Sequence, residues 1–364
     1  MQTHILALST EVPPLSQPQG EVAEKIINSL SLKGNKALIL RKIFDGSRIE
    51  KRHSVVEDYG NALLEGSFFG HAFPDSAPGM TRRNEVYKKE APPLAHAAAI
   101  KAIKRWGGRL KDITHVISVS CTGLVAPGIE FTLIDSLGLS RSTERLGINF
   151  MGCFGAFKGL SVAKSIAREN PANRVLLVCT ELCTLHFHFD GEIDTVVANA
   201  IFADGSAAAI VGCDPTPDEQ PLMEIVRQSS LALEESLSLM TWEASDRGLV
   251  MRLSSEVPKL IDRHITVFAK SLLGPDLDFA SCDWVLHPGG KAILEAVEKT
   301  CGLEESQTEM SWNVMKNYGN MSSVTFLFVL EAQSQKATSR EWSIGFGFGP
   351  GLSMEGMLFR RSHR

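Results

Sequence analysis

The chain has 364 residues, more than one hydrophobic core usually supports, so two domains or one duplicated layered domain are expected. Apolar residues make up 44% and charged residues 22%, which excludes a disordered or fibrous chain, and no apolar run is long enough to span a membrane. The net charge of −5 gives no electrostatic case for nucleic acid or an anionic membrane as the main partner.

The N-terminal sequence and the spacing of the cysteines predict the cellular location of the protein and the role of its cysteines. The N-terminal stretch lacks the basic region and apolar run of a secretory signal, which predicts a cytoplasmic, reducing location. The seven cysteines are an odd set without paired metal-ligand spacing. The exception is the lone Cys179-x-x-x-Cys183, and we expect most of the seven to be small core residues.

Short β-branched runs alternate with longer segments of helical period, which predicts an α/β layered fold. In chain order, the first half predicts a strand over 113–119, a helix over 128–137, a helix over 153–168 and a strand over 174–178. The charged run 82–92 is expected to be a solvated surface segment.

A proline-rich, acidic stretch over 213–221 reads as a linker and divides the chain near residue 215. We therefore predict two halves, 1–215 and 216–364. The second half shows a similar rhythm without a clear sequence repeat: a helix over 255–272, a strand over 284–286, a helix over 291–300 and a strand pair around 349–351. By β-propensity alone, residues 324–330 read as a buried strand.

Cys153 lies in Gly147-Ile-Asn-Phe-Met-Gly-Cys-Phe-Gly155, where a strand-like run ends on glycines and a helix-like run begins. A helix start offers unpaired N–H groups and the positive end of the dipole, which predicts a lowered cysteine pKa and a reactive thiolate. The alternative is that Cys153 is a small buried core residue.

Two further polar residues lie on glycine-rich corners. His287 closes the run Trp284-Val-Leu-His, ahead of Pro-Gly-Gly290, and Asn320 lies in Asn317-Tyr-Gly-Asn-Met-Ser-Ser323. A cysteine, a histidine and an asparagine suggest nucleophilic catalysis, and a cysteine protease is one candidate. A hydrogen-bonded corner for His287 and a turn or helix cap for Asn320 are the structural alternatives.

Taken together, these motifs resemble the type III polyketide synthases, the chalcone-synthase-like branch of the thiolase superfamily. The resemblance spans nearly the whole chain and also rests on Ile201-Phe-Ala-Asp-Gly-Ser206, Gly248-Leu-Val-Met-Arg-Leu253 and Gly347-Phe-Gly-Pro-Gly351. It implies a five-layered αβαβα fold from two pseudo-duplicated, thiolase-like halves, usually as a homodimer. It also implies a buried helix, not a strand, over 324–330.

The resemblance implies a chemistry for the three residues. Cys153 would carry the acyl group, a cationic His287 would stabilise its thiolate, and His287 with Asn320 would stabilise the enolate that forms when malonyl-CoA loses carbon dioxide. Coenzyme A thioesters would be the substrates, and no metal or other cofactor would be needed.

The resemblance also assigns the pocket. Phe202 would be a gate between the coenzyme A tunnel and the acyl cavity, and Met251 stands where plant members commonly carry a second gate phenylalanine. Cys121 and His186 replace pocket threonines, and Ala126 replaces a methionine that crosses the dimer. The other substrate-binding candidates are Ser322, Gly349, Pro350, Ala292 and Lys42, of which Lys42 matches a basic coenzyme A residue whereas Gly46 replaces another.

These departures favour a bacterial or other microbial enzyme over a plant chalcone synthase. The main hypothesis is extension of a fatty acyl-CoA with malonyl-CoA and cyclisation to an alkylpyrone or alkylresorcinol. The alternatives are a malonyl-primed tetrahydroxynaphthalene synthase, and a thiolase-fold protein that binds acyl-CoA or transfers acyl groups without chain extension.

Overall fold

The computed structural model describes residues 1–57, 68–69, 77–190 and 192–362. Within these residues the strands are β1 (Thr3–Glu11), β2 (Leu15–Pro18), β3 (Lys51–Ser54), β4 (His115–Ser120), β5 (Glu144–Asn149), β6 (Arg174–Leu182), β7 (Asp204–Cys213), β8 (Met223–Ala232), β9 (Met240–Ser245), β10 (Gly248–Leu253), β11 (Cys282–Leu286), β12 (Trp342–Gly349) and β13 (Ser353–Arg361). The α-helices are α1 (Gln19–Ser29), α2 (Asn35–Gly46), α3 (Met80–Trp106), α4 (Ile129–Leu137), α5 (Gly155–Glu169), α6 (Ile193–Ile201), α7 (Val257–Leu273), α8 (Lys291–Cys301), α9 (Glu305–Tyr318) and α10 (Ser323–Gln335).

The main sheet shows the duplication directly. Its order is β11-β12-β13-β8-β1-β7-β6-β4-β5. In the first half β1 is antiparallel to β7, β7 is antiparallel to β6, and β6 is parallel to β4. In the second half β8, β13, β12 and β11 repeat these directions in the same order. The expected two pseudo-duplicated halves are confirmed.

The layers of the fold are defined by the helices that pack on each face of the two half-sheets. Helix α3 packs against β1, β6 and β7, and α7 packs against β8 and β13. Between the two half-sheets lie α5 and α10, whose apolar side chains share one buried cluster with residues of both halves. The five layers of the αβαβα arrangement are therefore outer helices, one half-sheet, the central helices α5 and α10, the other half-sheet, and outer helices again.

One local expectation is wrong and another holds only in part. Residues 324–330 form part of α10, as the resemblance implied, and every residue from Ser323 to Glu331 is buried. A helix buried on all sides has the same continuous apolar sequence as a buried strand, so periodicity cannot separate them. Residues 82–92 are not simply a solvated segment, because they begin α3 and bury Arg83 and Tyr87.

The join between the halves is short. Strand β7 ends at Cys213 and β8 begins at Met223, so the proline-rich stretch connects the last strand of the first half to the first strand of the second. Only His4 and Ile5 of β1 pair with β8. In the described part of the chain, no helix is long and apolar enough to cross a membrane.

Candidate active site

Cys153 lies in a short 3-10 turn, Gly152–Phe154, that leads directly into α5. Gly152 has φ of +68°, and a Cβ there would lie 2.5 Å from Cδ of Pro350. The same loop approaches from the other side, since a Cβ on Gly349 would lie 2.5 Å from the Phe154 ring. Glycine is therefore required both in the turn at Gly152 and at Gly349, so that the end of β12 and the loop after it can pack against the turn that carries Cys153.

Asn320 precedes α10 and reaches the nucleophile. Its Nδ2 lies 4.0 Å from Sγ of Cys153 and donates to the Gly289 carbonyl at 3.3 Å. Its Oδ1 accepts the N–H of Ser322 at 2.8 Å. Because the backbone donor occupies the amide oxygen, the amide nitrogen must face Cys153.

His287 follows β11 and is completely buried. Its backbone N–H donates to the Phe346 carbonyl at 2.8 Å, which fixes the corner. Within the described residues neither ring nitrogen has a hydrogen-bond partner. A Cβ on Gly289 would lie 3.8 Å from Nε2 of His287, so Gly289 adjoins both His287 and Asn320. Buried polar atoms without partners are costly, and a substrate oxygen would satisfy them.

The protonation states differ from the sequence prediction. Burial raises the pKa of Cys153 to about 11, although hydrogen bonds with Ser322 and Asn320 act in the opposite direction. Burial also lowers the pKa of His287 to about 3. At neutral pH both shifts favour the uncharged forms, a thiol at Cys153 and an imidazole at His287. The predicted thiolate stabilised by a cationic histidine is wrong for this state, because desolvation outweighs the helix start.

A buried carboxyl group lies beside the nucleophile and was not predicted. Glu181 of β6 accepts hydrogen bonds from the Cys121 N–H at 2.9 Å and from the Ser323 hydroxyl at 2.6 Å. The Cys121 thiol donates to it at 3.2 Å and also lies 3.2 Å from the Ser322 hydroxyl. Burial raises the pKa of Glu181. One acidic residue within the apolar run 175–182 is the sequence signal that could have revealed it.

The cavity at Cys153 is only about 20 Å³ in volume. Its lining includes the predicted pocket residues Cys121, Phe202, Met251, Ser322 and Pro350, together with Trp242, which sequence reasoning missed. A second cavity of about 30 Å³ shares Phe202, Trp242 and Met251 as a common wall. The Trp242 indole donates to the Cys121 carbonyl at 2.7 Å, which holds it in that wall.

His186 lines the second cavity, but both of its ring nitrogens already form hydrogen bonds within the protein. Nε2 lies 2.8 Å from the Thr122 carbonyl, and Nδ1 accepts the Leu249 N–H. Burial lowers the pKa of His186 to about 3, so the ring is neutral and Nε2 carries the proton. His186 therefore joins β10 to the loop after β4 and offers only its ring carbons to a ligand.

A separate cavity of about 320 Å³ lies behind Gly289 and Gly290 and is lined mainly by apolar side chains. Ala292 and Ile201 line it, whereas the next residue, Phe202, lines the cavity at Cys153. Phe202 does not itself line the 320 Å³ cavity, so its gate role stays a prediction. Lys42 is exposed on α2 and is not among the lining residues.

Comparison with known proteins decides the family. The profile for chalcone and stilbene synthases, N-terminal domain, matches residues 2–215, and the profile for the C-terminal domain matches residues 224–362. The chain belongs to the chalcone and stilbene synthase family. This is the family that the resemblance implied.

Two relatives illustrate the similarity. Probable polyketide synthase 1 of Dictyostelium discoideum is 36% identical over 364 residues, a match that takes in 98% of this chain but only 11% of that longer protein. The crystal structure of the C-terminal type III polyketide synthase domain of Steely1, a type I/III hybrid from Dictyostelium, gives a TM-score of 0.92. It is 34% identical, and the match covers 99% of both chains. The thiolase-like fold is therefore confirmed.

In the described part of the chain, no group of three histidine, cysteine or acidic residues could hold a metal ion. All seven cysteines are buried and free.

Proposed function

We propose that this type III polyketide synthase uses Cys153, His287 and Asn320 for iterative decarboxylative Claisen condensation of malonyl-CoA onto a cysteine-bound acyl group. The observation that supports it best is the set of buried donors beside the nucleophile. Asn320 aims its amide nitrogen at Cys153, and His287 keeps an unpaired imidazole next to the same Gly289. Such donors are suited to an oxygen that becomes negatively charged.

Loading begins from the neutral pair. His287 accepts the thiol proton as Cys153 attacks the thioester carbonyl of the starter, and coenzyme A leaves with that proton. Moving the proton from thiol to imidazole keeps the net charge of the buried pair at zero. The thioester of Cys153 then awaits the extender.

Extension needs an enolate. Malonyl-CoA loses carbon dioxide, and the electron pair of the broken bond becomes an enolate whose oxygen accepts hydrogen bonds from Asn320 and His287. The enolate carbon attacks the Cys153 thioester, and the thiolate leaves, so the lengthened chain is carried by coenzyme A. For the next round the Cys153 thiolate attacks the new thioester carbonyl, and coenzyme A leaves as a thiolate. One such preorganised donor is worth about 3 to 4 kcal/mol, which explains why both would be needed.

We propose fatty acyl-CoA as the starter and an alkylpyrone or alkylresorcinol as the product. The apolar lining of the 320 Å³ space supports coenzyme A thioesters entering past Ala292, and the flexible Met251 side chain can make room for an alkyl chain.

A malonyl-primed tetrahydroxynaphthalene synthase is the second candidate. The 20 Å³ cavity at Cys153 supports it, because that space holds about one water molecule and a malonyl starter needs less room than a long alkyl chain. Product from labelled malonyl-CoA alone would favour this candidate and contradict the fatty acyl starter. Product only with a long acyl-CoA starter would favour the first.

An acyltransferase without chain extension predicts a different result. It would acquire an acyl group from acyl-CoA but would not release carbon dioxide from labelled malonyl-CoA. Carbon dioxide release that is lost in Asn320→Ala, with retained acylation of Cys153, would exclude it.

We also propose a cytoplasmic homodimer. Among the described residues, strand β5 is the outer edge of the main sheet, with backbone groups on one side that pair with no other described strand. Large apolar side chains are exposed on and around it: Leu124, Phe131, Leu146, Phe150 and Met151. An unprotected edge with a neighbouring apolar patch is suited to a second copy of the chain.

A further inference from the structure

Arg52 of β3 is a buried cation that does not line the cavity at Cys153. Only 1% of its surface is exposed. Its Nη1 donates to the carbonyls of Asn199 and Phe202, each at 2.7 Å, and its Nε donates to Oε1 of Gln19 at 2.7 Å. The guanidinium group therefore binds the last turn of α6 and the residue that follows it.

Gln19 extends the same contact. It is 3% exposed, and its Nε2 donates to the Ala200 carbonyl at 2.6 Å and to the Ser47 hydroxyl at 3.1 Å. The last carbonyls of a helix have no partner within the helix, and a cation there is favourable. Arg52 and Gln19 together satisfy three carbonyls at this helix end.

The end of α6 is joined to Asn320 by backbone hydrogen bonds. Asn320 N–H donates to the Ile201 carbonyl at 2.8 Å, and Ala203 N–H donates to the Asn320 carbonyl at 2.9 Å. These bonds form a parallel bridge between Phe202 and Asn320.

Arg52 also packs against the residue before Asn320. Gly319 has φ of +70°, and a Cβ there would lie 3.1 Å from both Cγ and Cδ of Arg52. The same Cβ would lie 2.7 Å from the Ile201 carbonyl. Arg52 therefore contacts both sides of the bridge, through its guanidinium group at Phe202 and through its methylene stem at Gly319.

We propose that Arg52 is a positioning residue for the reaction. By fixing the end of α6, it sets the distance from Asn320 to Cys153 and the place of Phe202 in the wall shared by the cavities of about 20 and 30 Å³. This inference rests on the proposed function of Asn320. Misplacing a reacting or stabilising group by about 1 Å can cost on the order of 100-fold in rate, so a loosened bridge should reduce turnover.

The test compares two conservative substitutions of buried arginines. Arg52→Lys keeps the positive charge but loses the planar fork that binds several acceptors at once. Arg174→Lys is the matched control, because Arg174 is 5% exposed and binds Glu219 through Nε at 2.6 Å and Nη2 at 2.7 Å. Arg174 lies seven residues along β6 from Glu181, about 23 Å from the site at 3.3 Å per residue.

For Arg52→Lys we expect kcat for malonyl-CoA decarboxylation to fall about tenfold or more, with KM changed less than about threefold. The control should stay within about twofold of the unsubstituted enzyme in kcat, although both variants should unfold at a lower temperature. A wild-type kcat in Arg52→Lys would overturn the proposal. An equal loss in Arg174→Lys would assign the effect to stability and overturn it too.

A crystal structure of Arg52→Lys gives a readout that does not depend on the reaction. We expect the separation of Asn320 Nδ2 from Cys153 Sγ to change by about 0.5 Å or more relative to the unsubstituted enzyme, the tolerance for a productive site. If the unsubstituted enzyme does not decarboxylate malonyl-CoA, the proposed function fails, and this separation alone decides the positioning role. An unchanged separation would contradict it.

Gln19→Leu keeps the proposal testable if Arg52→Lys does not fold. It removes the acceptor of Arg52 Nε and the donor to the Ala200 carbonyl, but leaves the guanidinium group in place. We expect a loss of kcat in the same direction, about threefold, and no loss would count against the proposal.

Discussion

Burial favours the uncharged forms of Cys153 and His287 at neutral pH, and this determines how the Cys153 thiol reacts with a small reagent. At pH values far below a pKa of about 11, the thiolate fraction rises about tenfold per pH unit. We expect the rate of Cys153 alkylation by iodoacetamide to rise steadily from pH 7 to 9. Cys153→Ala is the control for labelling of other cysteines. A plateau across neutral pH would show a preformed thiolate and contradict the neutral pair.

Trp242 determines the size of the space at the nucleophile. Its indole forms the wall between cavities of about 20 and 30 Å³ and lies 6.4 Å from the Phe202 ring, centroid to centroid. We expect Trp242→Ala to join the two cavities and shift kcat/KM toward longer acyl-CoA starters by about tenfold or more, since each buried methylene is worth about 0.8 kcal/mol. Unchanged starter preference across a series of chain lengths would contradict this role.

At this scale the residue types of the site were predictable, but their environment was not. Cys153, His287 and Asn320 each lie in a short motif that can be recognised in the sequence. In the structure, Nδ2 of Asn320 lies 4.0 Å from Sγ of Cys153. The direction of the Cys153 pKa shift depends on burial by distant segments, so a local helix-start argument gave the wrong sign. Glu181 was missed although it interrupts an apolar strand, and nothing local marks Trp242.

At the scale of elements, α10 shows why local propensity failed. Its residues favour strand, yet Thr325 Oγ1 accepts the Met321 N–H at 2.8 Å at the start of a helix, and neighbouring layers cover every side of it. Tertiary burial outweighs a propensity difference of about 1 kcal/mol or less per residue. The order of the strands in the sheet could likewise be expected only from the family resemblance, because pairing between strands that are distant in the sequence leaves no local pattern.

The turn before α5 gives a prediction at the same scale. Gly152→Ala places a Cβ at φ of +68° and 2.5 Å from Pro350, so we expect a loss of about 3 kcal/mol or more in unfolding free energy. Gly302→Ala is the matched control, with φ of +62° and no atom within 4 Å of the added Cβ. It should lose about 1 kcal/mol, from backbone strain alone. Equal losses in denaturant titrations would mean that the loop after β12 does not press on this turn.

At the scale of the whole molecule, the open edge of the main sheet predicts a self-associating surface. Phe131 is 44% exposed beside β5, and the Arg145 guanidinium lies 4.6 Å from its ring. We expect Phe131→Glu to convert a dimer to a monomer in size-exclusion chromatography with light scattering, because burying the carboxylate at an interface costs more in desolvation than its attraction to Arg145 recovers. Val267→Glu, at a site on α7 that is 73% exposed, should remain a dimer. A monomeric unsubstituted protein would contradict the homodimer.

The proposed reaction requires that Cys153 carry a chain that grows. Mass spectrometry of the enzyme quenched during turnover with acyl-CoA and malonyl-CoA tests this most directly, by mapping acyl adducts to peptides. We predict adducts on the Cys153 peptide that differ from one another by whole ketide units, and none in Cys153→Ala. Adducts on another residue, or a starter adduct that never lengthens while malonyl-CoA is present, would contradict it.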